Sequence, residues 1–346
     1  MSLNSIVRSM VKATLAKTFN QTPLLRGLRS IRRRAIGPTI HILAYHRVVE
    51  KLPDSSTPWT NPALCISSDS FRRQMEQVRN EFHVLSLADA LAALKGQIGL
   101  DKDACVITFD DGYRDVILRA DPILRALELP AATFVPTALA GASTYLLHDR
   151  LFAALSLATD GQSNGLAGLT ELTDLLIRTL PDQSLRQTVE ALEERFGPAT
   201  LDEGAQVLSP TEIRSLAKSG WEIGSHTTEH VALTHESPER VKRELTESKA
   251  AIESWTEKPC RFFAYCNGLH DSNVVELLYQ CGYEGAVTTL DRLNQYGADP
   301  MKLGRKTLWE GHVRSPLGNW SSDISAAHLH DLFGALGLTS PVEVRP

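Results

Sequence analysis

The sequence predicts an α/β fold in which a parallel sheet is enclosed by helices. Short apolar segments rich in β-branched residues alternate with longer segments of helical periodicity, and this alternation is typical of a parallel sheet. Several of the short segments are followed directly by polar side chains, as in α/β barrels, whose active sites lie at the carboxyl ends of the strands. The 346 residues are 42% hydrophobic, which is enough for the core of one large domain.

The predicted strands and helices follow one another at regular intervals. Strands are predicted near residues 40–45, 105–109, 131–136, 221–225, 260–265 and 285–289. Helices are predicted over residues 68–81, 87–95, 115–127, 238–256 and 272–281. The fourth of these helices has the clearest start, because Ser237 is a good N-cap and Pro238 suits the first helical turn.

The first 37 residues form a basic, amphipathic segment that precedes the predicted domain. Residues 1–49 contain nine of the 36 Lys and Arg residues and no Asp or Glu. The rest of the chain therefore has 27 basic and 41 acidic residues, a net charge of −14. Apolar residues at helical spacing lie between the basic ones. Such a helix can lie on an anionic membrane surface, or it can pack on the domain.

Composition narrows the location and the partners of the protein. No apolar run approaches the roughly 18 residues of a spanning helix, and no secretory signal is recognisable. Five scattered cysteines form no pairing framework, which favours a reducing compartment. Nucleic-acid binding is not predicted, because the basic cluster is terminal and has no accompanying motif. We expect a cytoplasmic protein that could contact the inner face of a membrane through residues 1–36.

Two adjacent carboxylates, Asp110 and Asp111, follow a predicted buried strand. The preceding residues 105–107 are apolar and mostly β-branched. Placing two ionised carboxylates side by side in a buried position is costly unless a cation or a shared proton relieves the repulsion. Because Asp-Asp-Gly is also common in turns, this segment alone does not establish a site.

Two histidines, His226 and His230, follow the predicted strand at 221–225. If this segment is helical, the spacing of four residues puts both imidazoles on one face, where they can bind one metal ion. The segment could instead be a capped helix start with His230 at the surface. Two histidines and one aspartate from another strand end form a set that suits zinc or another divalent first-row metal in hydrolysis.

A third segment, residues 261–268, begins with Arg261 and ends in a turn. A permanently charged Arg261 near Asp110 would keep that carboxylate ionised and oriented as a base. Arg261 could equally extend from a strand end into solvent.

Together the three segments resemble the first three motifs of the NodB-homology polysaccharide deacetylases, carbohydrate esterase family four. The resemblance covers roughly residues 38–310 and implies a distorted (β/α) barrel. It implies Asp110 as the catalytic base, with Arg261 orienting it. The metal ligands that it implies are Asp111, His226 and His230.

The resemblance also leads us to expect substrate contacts close to these motifs. We expect them at Tyr113, through its backbone N–H, and at Tyr265 and Asn267. One departure from the family pattern is Cys266, which stands where the family has proline; it restores a backbone N–H and places a thiol near the site.

The identity of the general acid separates the subgroups of this family. The segment at 40–48 resembles the Tyr-His element of the poly-N-acetylglucosamine and other exopolysaccharide deacetylases, in which the early histidine is thought to act as the acid. We therefore predict that His46 takes this role. His312 and His328 are the alternatives, because the Leu-x-His motif of the wider family is not recognisable, and His46 could also be a structural strand-end histidine.

A long helical stretch, about residues 140–207, interrupts the alternation of strands and helices. Two amphipathic helices are predicted in it, at 169–180 and 185–196. Such an insertion at the carboxyl face would form part of a substrate wall, or it would pack as an appendage. The predicted organisation is a basic segment at 1–37, the barrel domain at 38–320 and a C-terminal helix and tail at 321–346.

The predicted function is a metal-dependent hydrolase that removes N-acetyl groups from amino sugars of a polysaccharide or its lipid-linked precursor. Its cofactor would be Zn²⁺ or another divalent first-row metal, and its partner an N-acetylated glycan. Two alternatives remain open from sequence: an O-acetyl esterase with the same site, and a catalytically silent glycan-binding or scaffold protein.

Overall fold

The structure is a computed structural model that describes residues 3–22, 24–54, 57, 60–159, 166–198 and 200–338. The predicted C-terminal segment at 321–346 therefore lies partly outside the described residues.

Ten strands occur in the described part of the chain, most of them short and buried. They are β1 (Ile40–Tyr45), β2 (Arg47–Val49), β3 (Cys65–Ser67), β4 (His83–Val84), β5 (Ala104–Phe109), β6 (Ala132–Val135), β7 (Glu222–Ser225), β8 (Phe262–Ala264), β9 (Gly285–Val287) and β10 (Lys306–Thr307). Eight of them form one parallel sheet in the order β10-β1-β5-β6-β7-β8-β9, with β4 beside β5. The remaining pair, β2 and β3, forms a small parallel sheet of its own.

Thirteen α-helices occur in the same described residues. They are α1 (Leu3–Gln21), α2 (Leu24–Ile36), α3 (Ser68–Glu81), α4 (Leu87–Leu94), α5 (Asp121–Ala126), α6 (Leu147–Ala158), α7 (Leu166–Thr179), α8 (Asp182–Phe196), α9 (Pro210–Lys218), α10 (Pro238–Thr256), α11 (Ser272–Gln280), α12 (Ser322–Leu329) and α13 (Leu332–Ala335). No helix among these residues is both long and apolar enough to cross a bilayer.

The parallel sheet curls into a half-barrel with helices around it, and this confirms the predicted fold class. Every residue of β1 and β5 is buried, as expected of central parallel strands covered on both faces. The predicted start of α10 is also confirmed, because the Ser237 side chain accepts a hydrogen bond from the N–H of Arg240 and Pro238 opens the helix. The predicted strands lie within two residues of the observed ones.

Two features of the fold position the candidate site. All eight strands of the large sheet are parallel, so their carboxyl ends meet at one edge. Helices α6, α7 and α8 form the predicted insertion, and they pack around a small apolar core of their own that includes Leu151, Leu185 and Val189. The insertion is tied together by a paired contact from Arg150 on α6 to Glu193 on α8.

Candidate active site

A cavity of about 550 Å³ opens at the carboxyl ends of the strands. The segments after β1, β5, β7 and β8 line it on the sheet side, and α7 of the insertion contributes a further wall. The ionisable or metal-binding side chains that line it next to the sheet are His46, Asp110, Asp111, His148, His226 and His230.

Three of these side chains converge on one point. The Nε2 atom of His226 lies 3.3 Å from Oδ1 of Asp111, and that of His230 lies 3.1 Å from the same oxygen. All three side chains are almost fully buried. One carboxylate oxygen and two imidazole nitrogens at such separations form the donor set of a divalent first-row metal with open positions.

The backbone around these donors is held in an unusual conformation. Asp111, Thr227, His230 and Asn267 all have positive φ angles, between 56° and 67°. Left-handed conformations cost free energy in residues other than glycine, and they cluster at functional sites. Residues 226–230 form a loop, not the helical turn considered from the sequence, so the left-handed residues bring the two imidazoles together.

A hydrogen bond of His226 leaves its metal-facing nitrogen available. Nδ1 of His226 lies 2.8 Å from the carbonyl oxygen of Ala264, to which it donates, so Nε2 keeps its lone pair towards Asp111. The thiol of Cys266 lies 3.8 Å from the same Nδ1. Two groups of side chains here have ligand atoms that lie within 4.8 Å of one another and fit a bound metal ion: one is Asp111, His148 and His230, and the other is His226, His230 and Cys266.

Asp110 is held by an arginine that the sequence motifs do not contain. Nη1 and Nη2 of Arg305 donate to its two carboxylate oxygens at 2.7 and 2.6 Å, and Nε of Arg305 donates to the carbonyl of Thr288. Burial alone raises the pKa of Asp110, but the charge and hydrogen bonds of Arg305 outweigh it and leave the pKa below its ordinary value. Asp110 is therefore an ionised carboxylate in a fixed orientation.

The prediction that Arg261 orients Asp110 is corrected by this contact. Arg261 is partly exposed and forms a bidentate ion pair with Glu284 at 2.8 Å. Arg261 precedes β8, whereas the residues of the site follow their strands. It therefore lies at the end of the sheet opposite to the site. Arg305, which immediately precedes β10, instead reaches across the sheet to Asp110 from a fully buried position.

His46 lines the cavity that contains Asp110, and so do the alternative acids His312 and His328. Burial lowers the pKa of His312 to about 3, and nearby Lys306 contributes in the same direction. Burial likewise holds the pKa of His328 well below its ordinary value. Neither of these two histidines carries a proton near neutral pH, which argues against both as the general acid.

The predicted substrate contacts differ in their positions. The side chain of Asn267 lines the cavity. The side chain of Tyr265 does not, because it is buried and its hydroxyl donates to the carbonyl of Met301 at 2.9 Å. The side chain of Tyr113 is also buried, so only its backbone N–H remains for the predicted role.

The insertion adds His148, which sequence analysis did not assign to the site. Its Nε2 lies 3.6 Å from Oδ2 of Asp111 and 2.9 Å from the hydroxyl of Tyr113, which donates to Asp149 at 2.8 Å. Burial raises the pKa of Asp149 to about 7. From the sequence, His148 is recognisable only as part of an insertion at the carboxyl face, and Arg305 only as a basic residue before a short strand. Neither segment contains a motif that indicates a contact with an aspartate.

Comparison with known proteins identifies the family. Residues 98–286 match the family model described as polysaccharide deacetylase. No curated protein matches the chain.

Several solved structures share the fold at low sequence identity. A Streptococcus pyogenes deacetylase, PplD, in complex with acetate is 18% identical, with a TM-score of 0.58, and the alignment covers 81% of this chain and 96% of that one. IcaB from Ammonifex degensii is 19% identical, with a TM-score of 0.56 and coverage of 85% and 98%. The BpsB deacetylase domain from Bordetella bronchiseptica is 17% identical, with a TM-score of 0.52 and coverage of 78% and 96%.

The structural likeness establishes the fold, whereas the family model matches the sequence itself. The family model matches more than half of the chain, including the strands that precede Asp110, Asp111, His226 and His230. The chain therefore belongs to the polysaccharide deacetylase family.

Proposed function

We propose that this protein is a metal-dependent N-deacetylase of amino sugars in a polysaccharide or in its lipid-linked precursor. The observation that carries the proposal is the placement of two different carboxylates in one cavity. The carboxylate of Asp111 faces two imidazole nitrogens, as expected of a metal ligand. The carboxylate of Asp110 is held by Arg305, as expected of a catalytic base. Hydrolysis of an amide needs both functions within reach of one carbonyl group.

The proposed division of labour follows from the charges of these groups. A bound Zn²⁺ or similar ion would supply Lewis-acid polarisation at this site. Asp110 would take the proton of the attacking water, because its carboxylate is kept ionised and fixed by Arg305. His46 would donate a proton to the leaving amine, and the backbone N–H of Tyr113 would donate to the developing oxyanion.

The substrate class is inferred from the cavity and from the family. A cavity of about 550 Å³ with polar and aromatic walls, including Asn267 and Trp309, is large enough for more than one sugar ring. This chain shares its fold with IcaB and with the BpsB deacetylase domain, and this likeness supports our proposed assignment to the exopolysaccharide subgroup. We further propose a cytoplasmic location, where an amino sugar would be met before or during assembly of the glycan.

The test is acetate release from N-acetylglucosamine oligomers, lipid-linked amino sugars and O-acetylated glycans by the purified full chain, with and without chelator. We expect metal-dependent release from the wild type. Asp110→Asn should retain the metal and lose about 10²–10⁴-fold in turnover, because general-base help is removed.

Two outcomes would overturn the proposal. Release from O-acetylated but not N-acetylated glycans would indicate an esterase. Binding of glycans by the metal-loaded wild type without release from any of them would indicate a silent binding protein. If Asp110→Asn lost its metal, the roles assigned to the two aspartates would have to be exchanged.

A further inference from the structure

The N-terminal helix α2 is packed with its charged side towards the protein. Nη2 of Arg32 donates to Asp103 at 2.7 Å, and Nη1 of Arg29 lies 3.7 Å from Glu81. These two arginines are only 20% and 29% exposed. In a surface helix of a water-soluble domain the opposite orientation is expected, with the apolar side inward.

The apolar side of α2 consequently faces away from the domain. Leu24, Leu28 and Ile31 are spaced four and three residues apart, so they form one stripe along the helix. They are 50%, 41% and 65% exposed, and Ile36 at the end of the helix is 49% exposed. Ile36 lies on another side of the helix, next to Arg29 and Arg32, so we call Leu24, Leu28 and Ile31 the α2 stripe.

The exposed apolar residues are concentrated in this part of the chain. Of the 15 large hydrophobic side chains that are exposed among the described residues, six lie within the first 36 positions: the α2 stripe and Ile36, together with Met10 and Val11 of α1. Scattered single exposures need no explanation, but a continuous apolar stripe usually marks a contact surface.

The charges beside the stripe indicate what covers it. Arg34, three residues after Ile31 and therefore beside the stripe, is exposed and forms no ion pair with the residues that the structure describes. Residues 1–49 contain no acidic side chain at all. The matching partner is therefore apolar and negatively charged at once, which describes the surface of an anionic bilayer.

A second copy of this chain fits the same face less well. A symmetric dimer through the α2 stripe would bring together two copies of a basic segment that contains no acidic residue. The repulsion between them would oppose the contact, whereas anionic lipid headgroups would relieve it.

We propose that the α2 stripe and Arg34 beside it bind the surface of an anionic membrane. The neighbouring helix α1 reaches the active-site cavity, because Lys12 lines that cavity and α1 packs on α12. The helix α2 itself docks through Arg32 on Asp103, which precedes β5 and so lies at the end of the sheet opposite to the site. The membrane contact therefore does not depend on the proposed deacetylase function.

The test is flotation of the full chain with vesicles of phosphatidylcholine alone and of equimolar phosphatidylcholine and phosphatidylglycerol. We expect binding to the anionic vesicles only, weakening as salt is raised. The double variant Leu28→Asp/Ile31→Asp should lose binding. Arg34→Glu should weaken it about tenfold, because it replaces an attractive charge near an anionic surface by a repulsive one.

The matched control is Tyr296→Asp/Leu317→Asp, which changes two side chains that are 76% and 86% exposed elsewhere on the surface. It should float like the wild type, and all variants should keep the wild-type circular dichroism and turnover of a soluble substrate. Equal binding to neutral vesicles, absence of binding, or unchanged binding of both α2 variants would overturn the proposal. A dimer without vesicles that is lost in Leu28→Asp/Ile31→Asp, together with no flotation of the wild type, would assign the face to a second copy.

Discussion

At the scale of single residues, the site depends on how two neighbouring aspartates are made different. Both are buried, and burial alone raises the pKa of each. Asp110 is paired with a permanent cation, Arg305, which occupies both of its oxygens. Asp111 faces His226 and His230, which can be exchanged for contacts to a metal ion. The partners, not the carboxylates themselves, therefore assign the base and the ligand.

The first prediction concerns the geometry of the arginine contact. Arg305→Lys keeps the charge but loses the planar fork that fixes both oxygens of Asp110. We expect turnover to fall about 10²-fold with unchanged metal content, because a slightly misplaced base is a poor catalyst. The control is Arg261→Lys, which changes a partly exposed pair with Glu284 and should retain nearly full turnover. A larger loss in the control than in Arg305→Lys would return the orienting role to Arg261.

The second prediction concerns the acid. His46→Ala should lower deacetylation of an amide by about 10²–10⁴-fold, because the leaving amine must be protonated. An activated aryl acetate should be affected much less, since its leaving group departs without a proton. His312→Ala serves as the control, because burial lowers the pKa of His312 to about 3 and leaves it unprotonated at neutral pH. Equal losses on both substrates would exclude His46 as the acid.

At the scale of elements, the loops that follow β5, β7 and β8 orient the side chains of the site. Each strand delivers a chain to the same edge of the sheet, and a left-handed residue then turns the side chains inward: Asp111, Thr227 and Asn267 in the three loops. Gly112 also has a positive φ angle, and a Cβ atom there would lie 3.1 Å from the side chain of Val135. The loop conformations are thus required by the site and are stabilised by the packed sheet beneath them.

The third prediction concerns the loop after β8, where Cys266 stands in place of the family's proline. Tyr265 has φ −72° and ψ 124°, which suits a residue before proline, and the Cys266 N–H makes no hydrogen bond to the described residues. Cys266→Pro should therefore change the free energy of unfolding by less than about 1 kcal/mol and keep the metal. Urea unfolding and metal analysis measure these two quantities.

Leu269→Pro in the same loop is the matched control. It removes an N–H that donates to the carbonyl of Cys266 at 3.2 Å, and it follows Gly268, whose φ is positive. We expect it to be clearly more destabilising than Cys266→Pro. Equal costs would mean that the loop after β8 does not tolerate a fixed φ at position 266.

At the scale of the whole molecule, the site joins parts of the chain that have separate cores. The sheet supplies Asp110, Asp111 and the two imidazole ligands, while the insertion supplies His148 from α6. The N-terminal helix α1 and the C-terminal helix α12 close the far side of the cavity together. A ligand bound at this junction should therefore stabilise the folded chain as a whole.

The fourth prediction follows from this linkage. Saturating Zn²⁺ should raise the free energy of unfolding by about 3 kcal/mol when its concentration is a hundred times the dissociation constant. His226→Ala should abolish both the stabilisation and the metal content, because two protein ligands rarely retain a labile ion. His83→Ala, at an exposed position, is the control and should respond like the wild type. Stoichiometric metal in His226→Ala would refute the assignment of the ligands.

Local patterns determined the elements and the candidate ligands from sequence alone. Alternating apolar strands and capped helices predicted the parallel α/β sheet, because burial on both faces and N-capping leave signatures within a few residues. The segments around Asp110 and His226 were visible for the same reason: each set of polar residues is contiguous and follows its own strand.

Only the tertiary structure decided which distant groups meet. Arg305 lies 195 residues after Asp110, and no local pattern distinguishes it from Arg261. His148 reaches Asp111 only because the insertion packs over the carboxyl face, and the α2 stripe is exposed only because Arg29 and Arg32 dock the other side of that helix. Periodicity shows that a face is apolar, whereas the direction in which that face points is fixed by contacts between residues far apart in the chain.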